Sequence, residues 1–509
     1  MTFLATFLSF LLPVIAGTLW VPSFLPGGTG AFTDRAFRLC LGTGIGLGAG
    51  SLAYFFLLSC SAGVSAARLI LFEAVLFSPL AYLAVRYAKG KTFEASPEPD
   101  AKVFTVPRWA LQALAAVFFS LVAGVILTEV FLTFDRPHGG WDAWAIWNLR
   151  ARFLFRGGEH WREAFSPLLS EIHPDYPLLL PGLVARGWTY LGRDAVSFPA
   201  VIAVFYTLST IGALASSLAL LRGSFQGILA GVALACTPIF LRHGASQYAD
   251  VPFGYYMLAT FALLHLAKSP ESRRAMSLAG FTAGLACWTK NEGVILLGAL
   301  AAVWFVRVLV SSVRELEIRR AGWFVLGLLP PLLALAFLKF GLAPPSDMTT
   351  EFDLAAVLKR IVEPARYLEV GAAVAREAIF QLHLPLLAGY LLFSGVSIRK
   401  GERGAVRRLW GTLSLTFAAD FFVYVITSKP LAWHLDTSLS RLMTQLFPSL
   451  LFSLFLTATA VTVQAADHRQ GREAPESGRR GKEMPGRTKG RKKNRSGKRV
   501  FPMNRRGGG

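Results

Sequence analysis

Long apolar stretches separated by short polar connections dominate the pattern of the chain. LATFLSFLLPVIAGTLWVPSFL, LCLGTGIGLGAGSLAYFFLLSC and LLFSLFLTATAVTV are examples. A helix that crosses a bilayer needs about 20 apolar residues, because it rises only about 1.5 Å per residue. The pattern therefore predicts an all-α polytopic membrane protein with about 13 transmembrane helices. We place these helices at residues 3–25, 39–61, 64–86, 109–133, 196–221, 226–242, 252–268, 275–290, 293–312, 321–342, 379–398, 409–428 and 442–464.

Lys and Arg collect in alternate connections between these helices. Cytoplasmic connections carry an excess of Lys and Arg, whereas long translocated loops are largely exempt from this rule. The distribution places the basic connections in the cytoplasm, together with the C-terminal tail. These connections are residues 86–108, 268–274, 313–320 and 399–408. The long loops 134–195 and 343–378 then face outward, as do the short connections 242–251, 289–293 and 428–440.

Composition supports the membrane assignment, and the position of the positive charge argues against nucleic-acid binding. The 509 residues are 53% hydrophobic and 16% charged, and the formal net charge is +21. About half of this excess lies in residues 467–509, which contain 15 Lys and Arg against 4 Asp and Glu. A Gly-, Pro- and Ser-rich basic segment without a folded module is typical of a disordered tail that contacts anionic lipid. We therefore expect membrane lipids as partners and no nucleic acid.

Three regions follow from these patterns. Residues 1–108 are interpreted as accessory N-terminal transmembrane helices with a cytoplasmic connection, 109–466 as a transmembrane core, and 467–509 as the disordered cytoplasmic tail. The four cysteines all fall inside apolar runs without CxxC spacing, so we interpret them as small core residues.

The segment GGWDAWAIWNLRARF follows the fourth predicted span and places a carboxylate, Asp142, among tryptophans. The spacing of Trp141, Trp144 and Trp147 predicts a helix lying on the membrane with an apolar side at the interface. Asp142 begins that helix, so it could be an N-cap that interacts with the helix dipole. Burial among apolar groups would also suit a catalytic carboxylate.

Further polar clusters fall on the predicted outer side. Each could hold capping or snorkelling residues when taken alone. Together they predict an outward site for an anionic ligand, with Lys290 and Arg441 as candidate phosphate contacts. The clusters are HPDYPLLLPGL with His173, Asp175 and Tyr176; SQYADVP with Tyr248 and Asp250; WTKNEG with Lys290, Asn291 and Glu292; and PLAWHLDTSLSRLMTQLFP with His434, Asp436 and Arg441.

The order of WDAWAIWNLRARF, HPDYPLLLP, YADVP, WTKNEG and WHLDTSLSRL resembles that of bacterial lipid-linked-sugar glycosyltransferases of the GT-C fold. More narrowly, it resembles the protein-mannosyltransferase-like and aminoarabinose-transferase-like families. The resemblance spans about residues 130–450 and implies a GT-C-like core with juxtamembrane helices at the outer face. It also implies a multi-pass protein of the bacterial inner membrane whose active site faces the periplasm or the outside.

The resemblance further implies transfer of a sugar from a polyprenyl-phosphate donor to an acceptor hydroxyl, with inversion. Asp142 matches the acid of the first outer loop in these families and would be the general base. The acceptor could be a glycan, a lipid or a protein. Expected substrate contacts are Trp141, Trp144, Asn148, Arg150, His173, Asp175, Tyr176, Tyr248, Asp250, Lys290, Glu292, His434 and Arg441.

The chain departs from this family pattern in two ways. Three predicted spans precede the one that carries the acid, and no large soluble outer domain follows the core. No cofactor is expected, since no DxD or His-rich cluster demands a metal, although Asp175 or Glu292 could bind one. A transporter or flippase of lipid-linked glycans and a non-catalytic envelope assembly protein remain alternatives to the transferase.

Overall fold

The structure, a computed structural model, is built from α-helices and describes residues 2–25, 31–61, 63–87, 103–267, 272–346 and 353–464. The predicted tail 467–509 lies outside the described residues. The described residues up to Gln464 form one compact unit.

The helices are numbered in chain order. They are α1 (Thr2–Phe24), α2 (Phe32–Ser59), α3 (Ala66–Tyr87), α4 (Arg108–Asp135), α5 (Asn148–Arg156), α6 (Leu179–Leu191), α7 (Ser197–Arg222), α8 (Ser224–Ala235), α9 (Pro238–Ala245), α10 (Asp250–Leu266), α11 (Arg273–Thr289), α12 (Glu292–Val310), α13 (Arg314–Gly341), α14 (Leu354–Ile361), α15 (Pro364–Phe380), α16 (Leu384–Ser394), α17 (Arg403–Ile426), α18 (Leu431–His434) and α19 (Ser440–Thr457). There are also two strands, β1 (Val103–Val106) and β2 (Ala460–Val463). Five short 3-10 or π-helical segments complete the described elements: Ala143–Trp147, Gly158–Phe165, Pro167–Ile172, Lys400–Glu402 and Leu435–Leu439.

Seven of the described helices are long and apolar enough to cross a membrane, and two bent helix pairs raise the number to nine. This confirms the coarse prediction of an all-α, multi-pass membrane protein. The predicted count of about 13 spans is not confirmed, because four helices at predicted spans are not among these candidates: α1, α3, and α10 and α11, which have only 17 residues each.

Both bent pairs break at a proline-containing junction. The chain bends by 66° between α8 and α9 and by 67° between α15 and α16. Thr237 is extended before Pro238, as expected for a residue that precedes proline. His383 adopts a left-handed conformation at the start of α16. The span predicted at 379–398 is therefore only the second arm of a bent pair that starts at residue 364.

A short parallel pairing joins the segment just before the predicted core to the C-terminal end of that core. Val103 pairs with Ala460 and Val106 pairs with Val463. The sequence analysis had extended the last span to residue 464, but β-branched residues in AVTV favour strand over helix once α19 ends at Thr457.

Glycines on α2 allow large aromatic residues to approach its backbone. A Cβ on Gly44 would clash with the Tyr255 ring, and the Tyr255 hydroxyl donates to the carbonyl oxygen of Cys40 at 2.8 Å. The Tyr256 hydroxyl donates to the carbonyl oxygen of Gly44, also at 2.8 Å. Small residues commonly permit such close packing between membrane helices. These contacts fix α10, which begins at the candidate site, against α2.

Part of the predicted outer loop 134–195 is a core helix. α6 is buried from Leu179 to Tyr190 and packs against α2 and α5. Its Arg186 forms a two-pronged ion pair with Glu73 on α3, with Nε–Oε1 at 2.5 Å and Nη2–Oε2 at 2.7 Å. The Tyr190 hydroxyl donates to the same carboxylate at 2.6 Å. This buried ion pair connects the N-terminal helix α3 to α6, which follows Asp142 in the chain.

Glu73→Ala should destabilise the protein by about 3–5 kcal/mol, because it leaves the Arg186 guanidinium buried without a carboxylate. Thermal unfolding of the purified protein in detergent measures the change, and the exposed Glu369→Ala on α15 is the matched control. A double replacement of Glu73 and Arg186 by Met should recover much of the loss. Equal melting temperatures for Glu73→Ala and Glu369→Ala would contradict the prediction.

Candidate functional site

Four helix termini meet at one end of the bundle. α10 begins at Asp250, and the antiparallel α11 returns to the same level and ends at Thr289. α12 then begins at Glu292, so the intervening turn lies beside Asp250. α19 packs along α10 and begins at Ser440. The chain therefore brings residues that are far apart in sequence to one polar region.

Asp250 is the centre of this region and is fully buried. Its Oδ1 accepts hydrogen bonds from Lys290 Nζ at 3.0 Å and Gln445 Nε2 at 2.6 Å. Its Oδ2 accepts from Arg441 Nε at 3.1 Å. A buried carboxylate is stable only when charge partners and donors surround it in this way. Asp250 therefore holds both predicted cations in fixed positions.

Arg441 links Asp250 to Asp142. Its Nη2 lies 2.6 Å from Asp142 Oδ2, and its guanidinium lies 4.8 Å from the centre of the Tyr248 ring. Burial raises the pKa of Tyr248 above its ordinary value, and the nearby Asp142 carboxylate raises it further. Asp142, Asp250, Lys290 and Arg441 thus form one connected set, which we call the carboxylate–cation cluster.

Two glycines bring Asp142 to the cluster. Gly139 has a φ of 72°, a conformation that favours glycine. The Gly140 N–H donates to the carbonyl oxygen of Ser246 at 3.1 Å, and a Cβ at Gly140 would overlap the Tyr248 hydroxyl. The loop after α4 can therefore lie directly on the segment that precedes α10.

Asp142 does not act as a helix cap, which the sequence left as an alternative. Its backbone is already helical, and its side chain makes no capping hydrogen bond. The carboxylate contacts Arg441 instead. The neighbouring Asn148 donates to Gln247 Oε1 at 3.4 Å, and Gln247 donates to the carbonyl oxygen of Pro137 at 3.2 Å. These bonds hold the segment against the bundle.

The tryptophans divide between two environments. Trp141 and Trp144 are 54% and 50% exposed and contact each other edge to face. Trp147 is buried and stacks on Tyr176, which stacks in turn on His173 at 4.7 Å. The expectation that all three tryptophans share one interfacial side is wrong. A π-helical turn at Ala143–Trp147 changes the angular spacing on which that expectation rested.

Asp175 forms a second polar group beside the first. Its Oδ2 accepts from Asn291 Nδ2 at 2.8 Å and from Lys339 Nζ at 3.1 Å, and Lys339 also donates to its backbone carbonyl at 2.6 Å. Asn291 follows Lys290, and Lys290 Nζ lies 2.7 Å from Glu292 Oε1. The turn between α11 and α12 therefore connects HPDYP to the carboxylate–cation cluster.

Lys290 keeps its charge despite its burial. Burial alone would lower the pKa of Lys290, but the Asp250 and Glu292 carboxylates raise it above its ordinary value. An ammonium group has three N–H donors. Asp250 and Glu292 engage two directions around Nζ, so one donor can still meet an incoming anion.

Arg150 is fully buried close to Asp175. Its guanidinium lies 5.3 Å from the centre of the Phe165 ring, and its three nitrogens have no hydrogen-bond partner among the described residues. Burial lowers the pKa of Arg150 to about 9, while the Asp175 carboxylate acts in the opposite direction. The site thus contains a buried cation whose donors are not used by the residues that the structure describes.

His434 belongs to a separate polar group. Its Nδ1 lies 2.9 Å from Thr427 Oγ1, and its ring contacts Tyr424 at 4.8 Å. None of its contacts within the described residues reaches Asp142 or Lys290. The structure therefore brings together most of the predicted site residues, but His434 lies outside the carboxylate–cation cluster.

Three residues of this region were not predicted from the sequence. Gln445 follows Arg441 by four residues and therefore lies on the same face of α19. Lys339 is the last basic residue of α13. Asp420, on α17, is 5% exposed and lines an apolar cavity with Phe417, Phe421 and Met443. A charge inside an otherwise apolar run was the available signal for Lys339 and Asp420.

No group of three or more His, Cys, Asp or Glu side chains able to hold a metal ion occurs among the described residues. The two carboxylates considered for a metal instead contact nitrogen donors. Asp175 meets Asn291 and Lys339, and Glu292 meets Lys290.

These features define the class of protein as a multi-pass α-helical membrane protein with a buried carboxylate–cation cluster at one end of its bundle. Comparison with known proteins adds no family: no protein-family model matches the chain, and no curated protein or solved structure matches it significantly.

Proposed function

We propose that the protein is a glycosyltransferase that moves a sugar from a polyprenyl-phosphate donor to an acceptor hydroxyl at the outer face of a bacterial inner membrane. The observation that carries the proposal is the linked set of Asp142, Arg441, Asp250 and Lys290 at the ends of apolar helices. This position suits a substrate whose polar head lies at the membrane surface while its chain stays in lipid.

The two carboxylates have different environments and therefore different proposed roles. Asp250 is fully buried and fully engaged, so it positions Lys290 and Arg441. The Asp142 side chain retains 12% exposure, and the ion-pair contact with Arg441 is made by Oδ2 at 2.6 Å. Oδ1 of Asp142 is therefore the oxygen proposed to accept a proton from the acceptor hydroxyl.

In the proposed reaction the acceptor oxygen attacks the anomeric carbon of the donor as its proton passes to Asp142. The bond between that carbon and the phosphate oxygen breaks, and polyprenyl phosphate leaves with the bonding electrons. Arg441 and Lys290 would stabilise the negative charge on the leaving phosphate. Arg150 supplies a further buried guanidinium on the Asp175 side.

The remaining predicted contacts have positions consistent with roles in binding. Trp141 and Trp144 are half-exposed beside Asp142 and could stack on a sugar ring. Tyr248 supports Arg441, while Tyr176, His173 and Asn148 shape the wall formed by the first outer segment. His434 is proposed only as an acceptor contact, because it lies outside the carboxylate–cation cluster.

Proteoliposomes that contain the purified protein and a labelled polyprenyl-phosphate sugar test this proposal. A transferase should consume the donor and release polyprenyl phosphate when an extract of envelope acceptors is supplied. A flippase would expose the donor on the other leaflet without consuming it, and an assembly protein would do neither. Either of these results would contradict the proposal. Mass spectrometry of envelope glycans from cells with and without the gene then identifies the product.

A further inference from the structure

A second polar region lies at the opposite end of the bundle from the carboxylate–cation cluster. α12 begins at Glu292 in the cluster, and Arg307 lies 15 residues further along the same helix. With a rise of 1.5 Å per residue, this separates the two by about 22 Å. α13 returns in the opposite direction, so its first residues, including Glu317 and Arg320, lie at the level of Arg307.

These helix ends enclose a cavity of about 40 Å³. A buried water needs roughly 10–15 Å³ of such space, so the cavity has room for about three water-sized groups, comparable to the oxygens of a phosphate. Its wall is apolar on one side, with Leu300 and Trp304, and polar on the other, with Glu317, Arg320 and Arg408.

Among the described residues that line this cavity, positive charge exceeds negative charge, since Arg320 and Arg408 stand against Glu317. Glu317 is buried, and its Oε1 lies 3.2 Å from Arg307 Nε and 3.8 Å from Arg408 Nη1. Arg320 Nη2 donates to the carbonyl oxygen of Ala267 at 2.6 Å. Two guanidinium groups, those of Arg307 and Arg408, therefore contact one carboxylate, and a third, that of Arg320, lines the same cavity.

A second described carboxylate near the cavity, that of Glu402, does not offset this excess. Glu402 lies 3.7 Å from His265, which lines the cavity, but it also contacts Arg222 at 2.8 Å and Arg399 at 3.8 Å. This positive charge differs from that of an ordinary basic connection at a membrane surface, because the arginines are directed to a cavity between helices.

The surroundings indicate where an anion would come from. The side chains of Arg307 and Arg408 are about 30% exposed, so the cavity reaches the protein surface. On α12, Phe305, Val306 and Leu309 are exposed and apolar beside these arginines. Such a surface faces acyl chains, and basic pockets between membrane helices bind anionic lipid headgroups.

We propose that this cavity, which we call the far-end pocket, binds the phosphate headgroup of an anionic membrane lipid. The guanidiniums of Arg408 and Arg320, which line the cavity, would meet the phosphate oxygens, with Arg307 beside them on Glu317, and the acyl chains would lie along the apolar outer surface of α12. This site is independent of the proposed transferase site and does not depend on it.

Native mass spectrometry of the purified full chain, with phosphatidylglycerol or phosphatidylcholine added in detergent, tests the pocket. The wild type should retain phosphatidylglycerol in preference to phosphatidylcholine. Arg408→Gln should reduce phosphatidylglycerol retention about five-fold, as expected for one arginine near a lipid phosphate. Arg319→Gln, which removes the same charge from an exposed neighbour of Arg320, should leave retention close to that of the wild type.

Further measurements keep the result interpretable. Arg408→Lys keeps the charge and should restore most of the retention, while a normal melting temperature shows that each variant is folded. If Arg408→Gln fails to fold, Arg307→Gln replaces it. An equal loss with Arg319→Gln, or no preference for phosphatidylglycerol in the wild type, would overturn the proposal. Displacement of the lipid by millimolar inorganic phosphate would overturn the assignment to a lipid and identify a soluble anion as the ligand.

Discussion

Asp142→Asn should lower the rate of sugar transfer by about 10²–10⁴-fold, the usual contribution of a positioned general base. The amide can still face Arg441, so the geometry of the carboxylate–cation cluster should survive while the proton acceptor is lost. Transfer is measured as release of polyprenyl phosphate from a labelled donor. Donor binding, measured separately, should change little, because the proposed phosphate contacts remain.

Asp436→Asn is the matched control for this measurement. Asp436 also precedes α19, but its side chain is 72% exposed and lies 3.8 Å from Arg376. Its replacement should leave transfer close to that of the wild type. Full transfer by Asp142→Asn would exclude Asp142 as the base, whereas an equal loss with Asp436→Asn would point to a general surface effect.

Asp250→Ala should both stop transfer and destabilise the fold, by about 3–5 kcal/mol. The Asp250 carboxylate is fully buried and holds Lys290, Arg441 and Gln445. Its removal leaves two cations crowded together with less negative charge to balance them. Thermal unfolding and transfer by the same preparation give the two readouts.

A second replacement separates charge imbalance from loss of packing. Lys290→Met in the Asp250→Ala background removes one of the uncompensated cations and should restore part of the stability without restoring transfer. Additive losses in the double variant would contradict the view that Asp250 and Lys290 stabilise each other. A normal melting temperature for Asp250→Ala alone would contradict its structural role. Together with Asp142→Asn, these variants distinguish a residue that reacts from one that positions its partners.

Hydropathy was sufficient to predict the helical class, because membrane spans carry their signal in local composition. It was less informative about how each span is built. The bends at Thr237 and His383 depend on local backbone conformation, and the pairing of β1 with β2 joins residues about 357 positions apart. Neither feature leaves a periodic signal in the sequence.

The candidate site could be predicted in part because its residues lie at helix ends in short polar motifs. Asp142, Asp250, Lys290 and Arg441 were all found in this way, and the structure places them in contact. Their pairing was not predictable, since it depends on the packing of α19 against α10. The Glu73–Arg186 pair escaped notice because each residue lies in an apolar surrounding where one charge gives no hint of its partner.

The parallel pairing of β1 with β2 has a consequence for biogenesis. During synthesis Val103–Val106 leaves the ribosome long before Ala460–Val463, so its backbone groups lack their strand partner until nearly all the membrane helices have been made. Arg441 likewise reaches Asp142 only with the final helix. Insertion of α19 and pairing of β2 with β1 therefore complete both ends of the bundle late in synthesis, and the Asp142 carboxylate acquires its guanidinium partner only after α19 has been made.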